Sequence, residues 1–170
     1  WSAPSSDGGA TVTDYRVDQS LDGGITWTSA IDSTGNAITG TVTGLTNGQP
    51  ILFRVLARNI AGWGASTPTL STTAYKAPEQ PTGVNASGSN ASVLLSWTAP
   101  TNTNGSPVSG YKVEQSADGG TTWVTAIANT GNSGTNVVVS GLTNGTAYAF
   151  RVSAINAAGA GSASAAAAAT

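Results

Sequence analysis

The sequence predicts an all-β protein of two tandem seven-strand-type sandwiches, the first lacking its opening strands. Three observations predict it. A hairpin signature occurs twice, as Tyr15-Arg-Val-Asp-Gln-Ser-Leu-Asp-Gly-Gly-Ile-Thr-Trp27 and as Tyr111-Lys-Val-Glu-Gln-Ser-Ala-Asp-Gly-Gly-Thr-Thr-Trp123. Overlaying the copies aligns nearly all the rest of the chain at a spacing of 96 residues, which becomes 97 after one extra residue between Asn132 and Gly141. Apolar residues alternate with polar ones at period two between turns rich in Gly, Asn, Ser and Thr, a pattern that selects strand over helix.

Composition narrows the function classes. The 170 residues contain no Cys, His or Met. No disulfide framework can form, and neither thiolate nor imidazole is present to bind zinc or to act as nucleophile or base. Only 8% of residues are charged, six basic against eight acidic, so the basic surface that a phosphate backbone requires is missing. No nucleic-acid partner is expected. No apolar run reaches the length of a membrane span, and no membrane insertion is expected. A neutral surface with 22 glycines and abundant Thr, Ser, Asn and Ala fits a secreted or cell-surface protein. Lacking an initiator Met, the chain reads as an excerpt of a longer or processed protein.

Taken in order, Trp1-Ser-Ala-Pro matches Trp97-Thr-Ala-Pro100. In the second copy Trp97 ends a strand beginning at Ser92, itself preceded by Pro81 to Ser87. The first copy starts at that Trp and so lacks its first strand and nearly all of its second. The loop Ser5 to Gly9 and the hairpin follow, the two glycines supplying the positive φ of a tight reversal. Thr34-Gly-Asn36 matches Thr130-Gly-Asn132, and the turn Thr43 to Gly48 matches Ser140 to Gly145. The next strand runs from Ile51 to Asn59 and from Tyr148 to Asn156. Alternation sends Tyr148, Phe150, Val152 and Ala154 inward. It sends Leu52, Arg54, Leu56 and Arg58 outward, an apolar stripe absent from the second copy. Gly-rich loops, Ala61 to Gly64 and Ala158 to Gly161, lead to last strands over 66–74 and 163–170. The division expected is a domain over 1–74, a Pro-containing linker over 75–80, and a domain over 81–170.

The second copy's Trp on its second strand, Tyr on its third, and Leu142-Thr-Asn-Gly-Thr-Ala-Tyr148 leading into Phe-Arg-Val152, Ala154 and Asn156 resemble a fibronectin type III domain of the bacterial secreted or cell-surface type. The resemblance covers essentially the whole chain and is strongest over 79–170. It implies an immunoglobulin-like sandwich with a tyrosine corner at Tyr148. Ile51 stands at that position in the first copy, so its corner must be held by packing. Neither 59–64 nor 156–161 carries the family's integrin-binding Arg-Gly-Asp, and integrin adhesion is not implied.

Absence of the opening strands removes residues equivalent to Val84, Val93 and Leu95, each contributing about 1.5–3 kcal/mol when buried. Upstream polypeptide or a neighbouring chain is expected to close that interior.

The candidate sites are few. Asp14, Asp18, Asp22 and Asp32 lie on or beside the first hairpin and read as a solvated face; no converging pair of carboxylates suggests acid-base catalysis. One carboxylate beside two glycines, at Asp22 or Asp118, falls short of the six to eight oxygens calcium needs. No catalytic residue, cofactor or metal is expected. Trp1, Trp27, Trp97 and Trp123 are repeat-matched and read as packing. Trp63 faces Ala160 across the repeat and is the candidate contact residue, for a sugar ring or a protein, with Leu52 and Leu56 as a second patch. The four Asn-x-Ser/Thr sequons beginning at Asn85, Asn90, Asn104 and Asn144 read as turn chemistry. The function expected is a structural, spacer or interaction module of a bacterial extracellular multidomain protein, partnered by flanking domains or neighbouring subunits. Two alternatives stand beside it: an accessory module of a polysaccharide-degrading enzyme touching glycan through Trp63, and a filament or virion surface subunit completed by a neighbour's strands.

Overall fold

The structure, a computed structural model, describes residues 1–170. The chain divides into two compact units, Trp1–Ala74 and Tyr75–Thr170, built from strands without a helix.

Unit 1 contains β1 (Asp14–Ser20), β2 (Thr28–Ile31), β3 (Pro50–Asn59), β4 (Gly62–Ser66) and β5 (Leu70–Thr73). They form one sheet in the order β2-β1-β3-β4, with β5 also pairing with β3. The repeated hairpin signature becomes β1 and β2. Tyr15 and Val17 point inward and are buried, and the reversal runs through Gly23 and Gly24 at φ +75° and +96°. Those dihedrals are open to glycine at little cost.

Unit 2 contains β6 (Thr82–Ser89), β7 (Ser92–Thr98), β8 (Gly110–Ser116), β9 (Val124–Ile127), β10 (Asn136–Ser140), β11 (Tyr148–Asn156), β12 (Gly159–Ala163) and β13 (Ala167–Ala169). It has both layers. The sheet β12-β11-β8-β9, with β13 on β11, repeats that of unit 1, and β10-β7-β6 covers it. Val93, Leu95 and Trp97 of β7 and Val139 of β10 meet Tyr111, Val113, Phe150, Val152 and Ala154 in one core. The Trp97 and Tyr111 rings pack edge-on at 4.9 Å. Thr143 N–H donates to Tyr148 Oη at 3.4 Å, the corner that the resemblance implies.

Two local expectations need correction. The Gly-rich segments expected as loops are themselves strands: β4 and β12 pair with β3 and β11 directly after two-residue reversals at 60–61 and 157–158. Ladder bonds to a long central strand outweigh the low strand propensity of glycine. The last strands expected over 66–74 and 163–170 are shorter, β5 at Leu70–Thr73 and β13 at Ala167–Ala169, and a break separates each from the strand before it. At each break a hydroxyl replaces the missing ladder acceptor. Val55 N–H donates to Thr67 Oγ1 at 3.1 Å, and Val152 N–H to Ser164 Oγ at 3.0 Å. Residues 39–43 align with β10 but form no strand. β10 pairs only with β7, and unit 1 has no β7.

The segment leading into unit 2 lies along that unit. Lys76 and Glu79 amides donate to the carbonyls of Asn104 and Asn102, and Asn104 Nδ2 donates to Ala77 O at 2.8 Å.

Candidate functional site

The candidate contact residues fall on the outer face of the unit 1 sheet. On β1 the residues alternating with Tyr15 and Val17 are Asp14, Arg16, Asp18 and Ser20. Their partners on β3 are Arg58, Leu56, Arg54 and Leu52. Side chains from β1, β3 and β4 and from the hairpin turn meet there in one line. Arg54 Cζ stands 4.2 Å from the centroid of Trp27. Arg16 and Arg58 stand 5.0 and 5.6 Å from that of Trp63. Between the two aromatic groups lies Asp18. Arg54 Nε and Nη2 both donate to its Oδ2 at 3.1 Å. Arg16 Nε is 2.8 Å from Oδ1 without pointing its N–H along that line, so this contact is an ion pair, while Nη2 makes a long hydrogen bond at 3.4 Å.

Asp18 was expected on a solvated face and is instead 3% exposed. Two guanidiniums make its burial tolerable; one buried carboxylate alone would not be. Trp63, Leu52 and Leu56 are half-buried on this face. Leu56 sits between Arg16 of β1 and Ser66 of β4, and Leu52 packs toward the backbone of Gly24 in the hairpin. Arg58 remains exposed and has no carboxylate partner, so it is the free cation of the row.

Unit 2 carries a shorter version. Arg151 lies 4.3 Å over Trp123 and donates to Glu114 Oε2 at 2.7 Å, and Lys112 Nζ donates to Oε1 at 2.6 Å. Hydrogen bonds from Lys112 and then Arg151 hold the Glu114 carboxyl below its ordinary value. Ala160 stands where Trp63 would be, and the row ends there.

The hairpin aspartates are fully used by their own turns. Asp118 accepts from Ser116 Oγ, from the amides of Thr121 and Thr122, and from Thr122 Oγ1 at 2.6 Å. Asp22 does the same with Ser20, Ile25 and Thr26. These bonds, from Thr26 first at Asp22 and from Ser116 first at Asp118, hold both carboxyls well below the usual range. The indole N–H of Trp27 and of Trp123 closes each turn on the carbonyl of Gly24 or Gly120.

Two features lay beyond the sequence reading. One is the pairing of each hairpin Trp with an arginine of the central strand; its trace was the joint repetition of Trp27 with Arg54 and of Trp123 with Arg151. The other is an asparagine clamp. Asn59 Nδ2 donates to the carbonyls of Asp7 and Ala10, and Asn156 Nδ2 donates to those of Thr103, Ser106 and Lys76.

The inner face of unit 1 is different. Trp1, Val17, Val42, Leu45, Phe53 and Val55 line an open apolar cleft of about 640 Å³.

No group of three or more acidic side chains is placed to hold a metal ion, and no helix is long and apolar enough to cross a membrane. Compared with known proteins, residues 77–170 match the model of the family described as Fibronectin type III domain. The chain is 31% identical to Myomesin-2 of Homo sapiens over 95% of its length and 11% of that protein. It is 36% identical to Chitinase A1 of Niallia circulans over 71% of its length and 17% of that protein. It therefore spans well under a fifth of either relative. A crystal structure of titin domains superposes with a TM-score of 0.61, at 24% identity, over 91% of this chain and 53% of that one, a likeness of fold.

Proposed function

Because the chain belongs to the fibronectin type III family, we propose that it is a non-catalytic spacer and interaction segment of a bacterial extracellular or cell-surface multidomain protein. The observation that carries this reading is where its acidic groups are used. Seven of the eight side-chain carboxylates accept bonds that hold turns, strand rows or the leader of unit 2: Asp7, Asp14, Asp18, Asp22, Glu79, Glu114 and Asp118. These bonds give the carboxylates a structural use in turns, strand rows and the leader, and no two of them converge in a cleft as acid-base catalysis requires. Extracellular placement is supported by the hydroxyl-rich, weakly charged surface and by the likeness to a bacterial chitinase. The test is to replace residues 1–170 in the parent protein by a Gly/Ser linker of matched reach. The reading expects changed spacing of the flanking parts by small-angle scattering with their chemistry intact. Hydrolytic activity in the isolated chain would overturn it.

A second reading, an accessory segment that contacts glycan, is favoured by the 36% identity to a chitinase and by Trp63 lying beside the exposed cation of Arg58. Against it, guanidiniums already stack on that indole, which competes with a sugar ring. Binding of the chain and of Trp63→Ala to insoluble chitin and cellulose separates the readings, with a melting curve to show that the variant is folded.

A further inference from the structure

Of the sheet edges in unit 2, all but β10 are guarded against the addition of a further strand. β9 joins β8 through a bulge between Val113 and Glu114, and β12 joins β11 through one between Ser153 and Ile155. The leader also lies against β12, at Gly161. β6 is bulged between Thr82 and Asn85 and lies beside β13. Bulges and covering segments are how sheet edges avoid pairing with another chain.

β10 has none of these guards. It pairs with β7 residue for residue from Asn136 to Ser140, without a register shift. No Asp, Glu, Lys, Arg or Pro occurs from Gly119 to Phe150, so neither β10 nor its flanks carry a charge or a proline that would turn a strand away. Trp97 N–H donates to Thr135 O at 3.0 Å. By the alternation of an antiparallel ladder, Val137 and Val139 also serve β7, while Asn136, Val138 and Ser140 aim their N–H and C=O groups at the open edge. Those three also have exposed side chains. Val138 is 55% exposed, and Leu94, opposite it on β7, is 47% exposed. This apolar pair lies in a face whose other β7 and β10 side chains are Ser92, Ser96, Thr98, Asn136 and Ser140.

We propose that β10 is a strand-addition edge whose occupant is the β10 of a second copy of this chain, running antiparallel to it. What selects a copy is that the edge complements itself. With Val138 opposite Val138 of the second copy, the outward N–H and C=O groups exchange hydrogen bonds reciprocally. Asn136 then faces Ser140 of the second copy, and the Leu94–Val138 pairs of the two copies join into one apolar stripe. An unrelated peptide would supply the backbone bonds without the matched stripe. The opposed side chains are uncharged, so no like charges meet. The operator is a two-fold axis normal to the sheet, which keeps each layer on its own side. Because β6 lies beside β13, β10 and β9 share the far side of the sandwich. The same axis therefore turns β9, with Val124 58% exposed, toward its counterpart. The contact is small, so association is weak and depends on concentration. This proposal stands apart from the spacer reading.

The test follows the whole chain from micromolar to millimolar concentration by sedimentation and amide exchange. The chain is expected to pass from monomer to dimer, and the Val138 amide to exchange at least about fivefold more slowly in the dimer, while Val137 and Val139, already held by β7, do not change. Val138→Lys sets a charge against its own image and should stay monomeric, with a melting curve to show that it is folded. Val138→Thr keeps an uncharged β-branched edge and should still dimerise. If Val138→Lys does not fold, exchange at Val138 in the parent decides. A chain that remains monomeric, with Val138 exchange independent of concentration, overturns the proposal. Association that persists in folded Val138→Lys also overturns it and places the contact elsewhere. A chain that remains monomeric while an added alternating Val/Thr peptide slows Val138 overturns it in favour of an extended peptide as occupant.

Discussion

Arg54 Cζ stands 4.2 Å from the centroid of the Trp27 ring while its Nε and Nη2 hold Asp18 Oδ2. One side chain thus does two things: it covers the hairpin Trp and it neutralises a carboxylate that burial would otherwise penalise. Arg54→Met keeps most of the apolar stem and removes both interactions, leaving Asp18 with Arg16 alone. The expected loss is about 1–3 kcal/mol of unit 1 stability. Arg54→Lys restores charge without the planar stack and should recover part of it. Urea unfolding followed by Trp fluorescence reads both, and equal stability of Arg54→Met and the parent would refute the role.

The breaks between β4 and β5 and between β12 and β13 predict a residue-specific rescue. Val152 is 0% exposed, and its N–H has Ser164 Oγ as acceptor at 3.0 Å. Ser164→Ala leaves a buried donor without a partner and should cost about 1–3 kcal/mol. Ser164→Thr should be tolerated, since Thr67 makes the same bond to Val55 in unit 1. Chemical denaturation separates the cases; if Thr is as damaging as Ala, packing rather than the hydroxyl governs the site.

Those breaks also show how far the sequence could be read. The hairpins were legible because Asp-Gly-Gly and the Trp repeat together, and local turn chemistry decides their shape. The inward set Phe150, Val152 and Ala154 followed from alternation alone. What escaped depends on pairing across strands. Asp18 appeared solvated because nothing in its own strand reveals that Arg54 lies opposite it. Residues 39–43 carry a strand-like sequence but need a neighbour to pair with, and Gly62–Ser66 carries a loop-like one yet has β3 beside it. Of the candidate contact residues, Trp63 was recognisable as an aromatic whose counterpart in the second copy is Ala160. The guanidiniums stacked on it were not.

The turn carboxylates make stability fall in acid. Asp22 and Asp118 have folded pKa values depressed below the unfolded value of about 3.9. Groups of that kind contribute stability that is complete above the unfolded pKa and is lost as pH falls toward the folded one. Melting temperature should therefore be flat above about pH 5 and decline from about pH 4 downward. Asp118→Asn, which loses the charge accepting from Thr122 and Ser116, should lower the midpoint at neutral pH and weaken its dependence below pH 4. A variant whose acid profile parallels the parent's would show that other groups set the decline.

Gly161 is the place where the leader of unit 2 can be released without touching its core. A Cβ there would collide with the carbonyl of Pro78, a backbone atom that can move only if the segment moves. The same segment is tied by Asn156 Nδ2 to Lys76 O at 2.9 Å and by Asn104 Nδ2 to Ala77 O. Gly161→Ala should therefore lift 76–79 from the unit while leaving β7, β8 and β11 packed. Limited proteolysis is expected to cut first at Lys76 in the variant, with amide protection retained at Val113 and Val152. The spacer reading requires a firm leader, so the variant in the parent protein should also broaden the distribution of distances measured by paired labels on the flanking parts. If cleavage at Lys76 is as slow as in the parent, the Pro78 contact does not hold the leader, and its order rests on its hydrogen bonds to Asn102, Asn104 and Asn156.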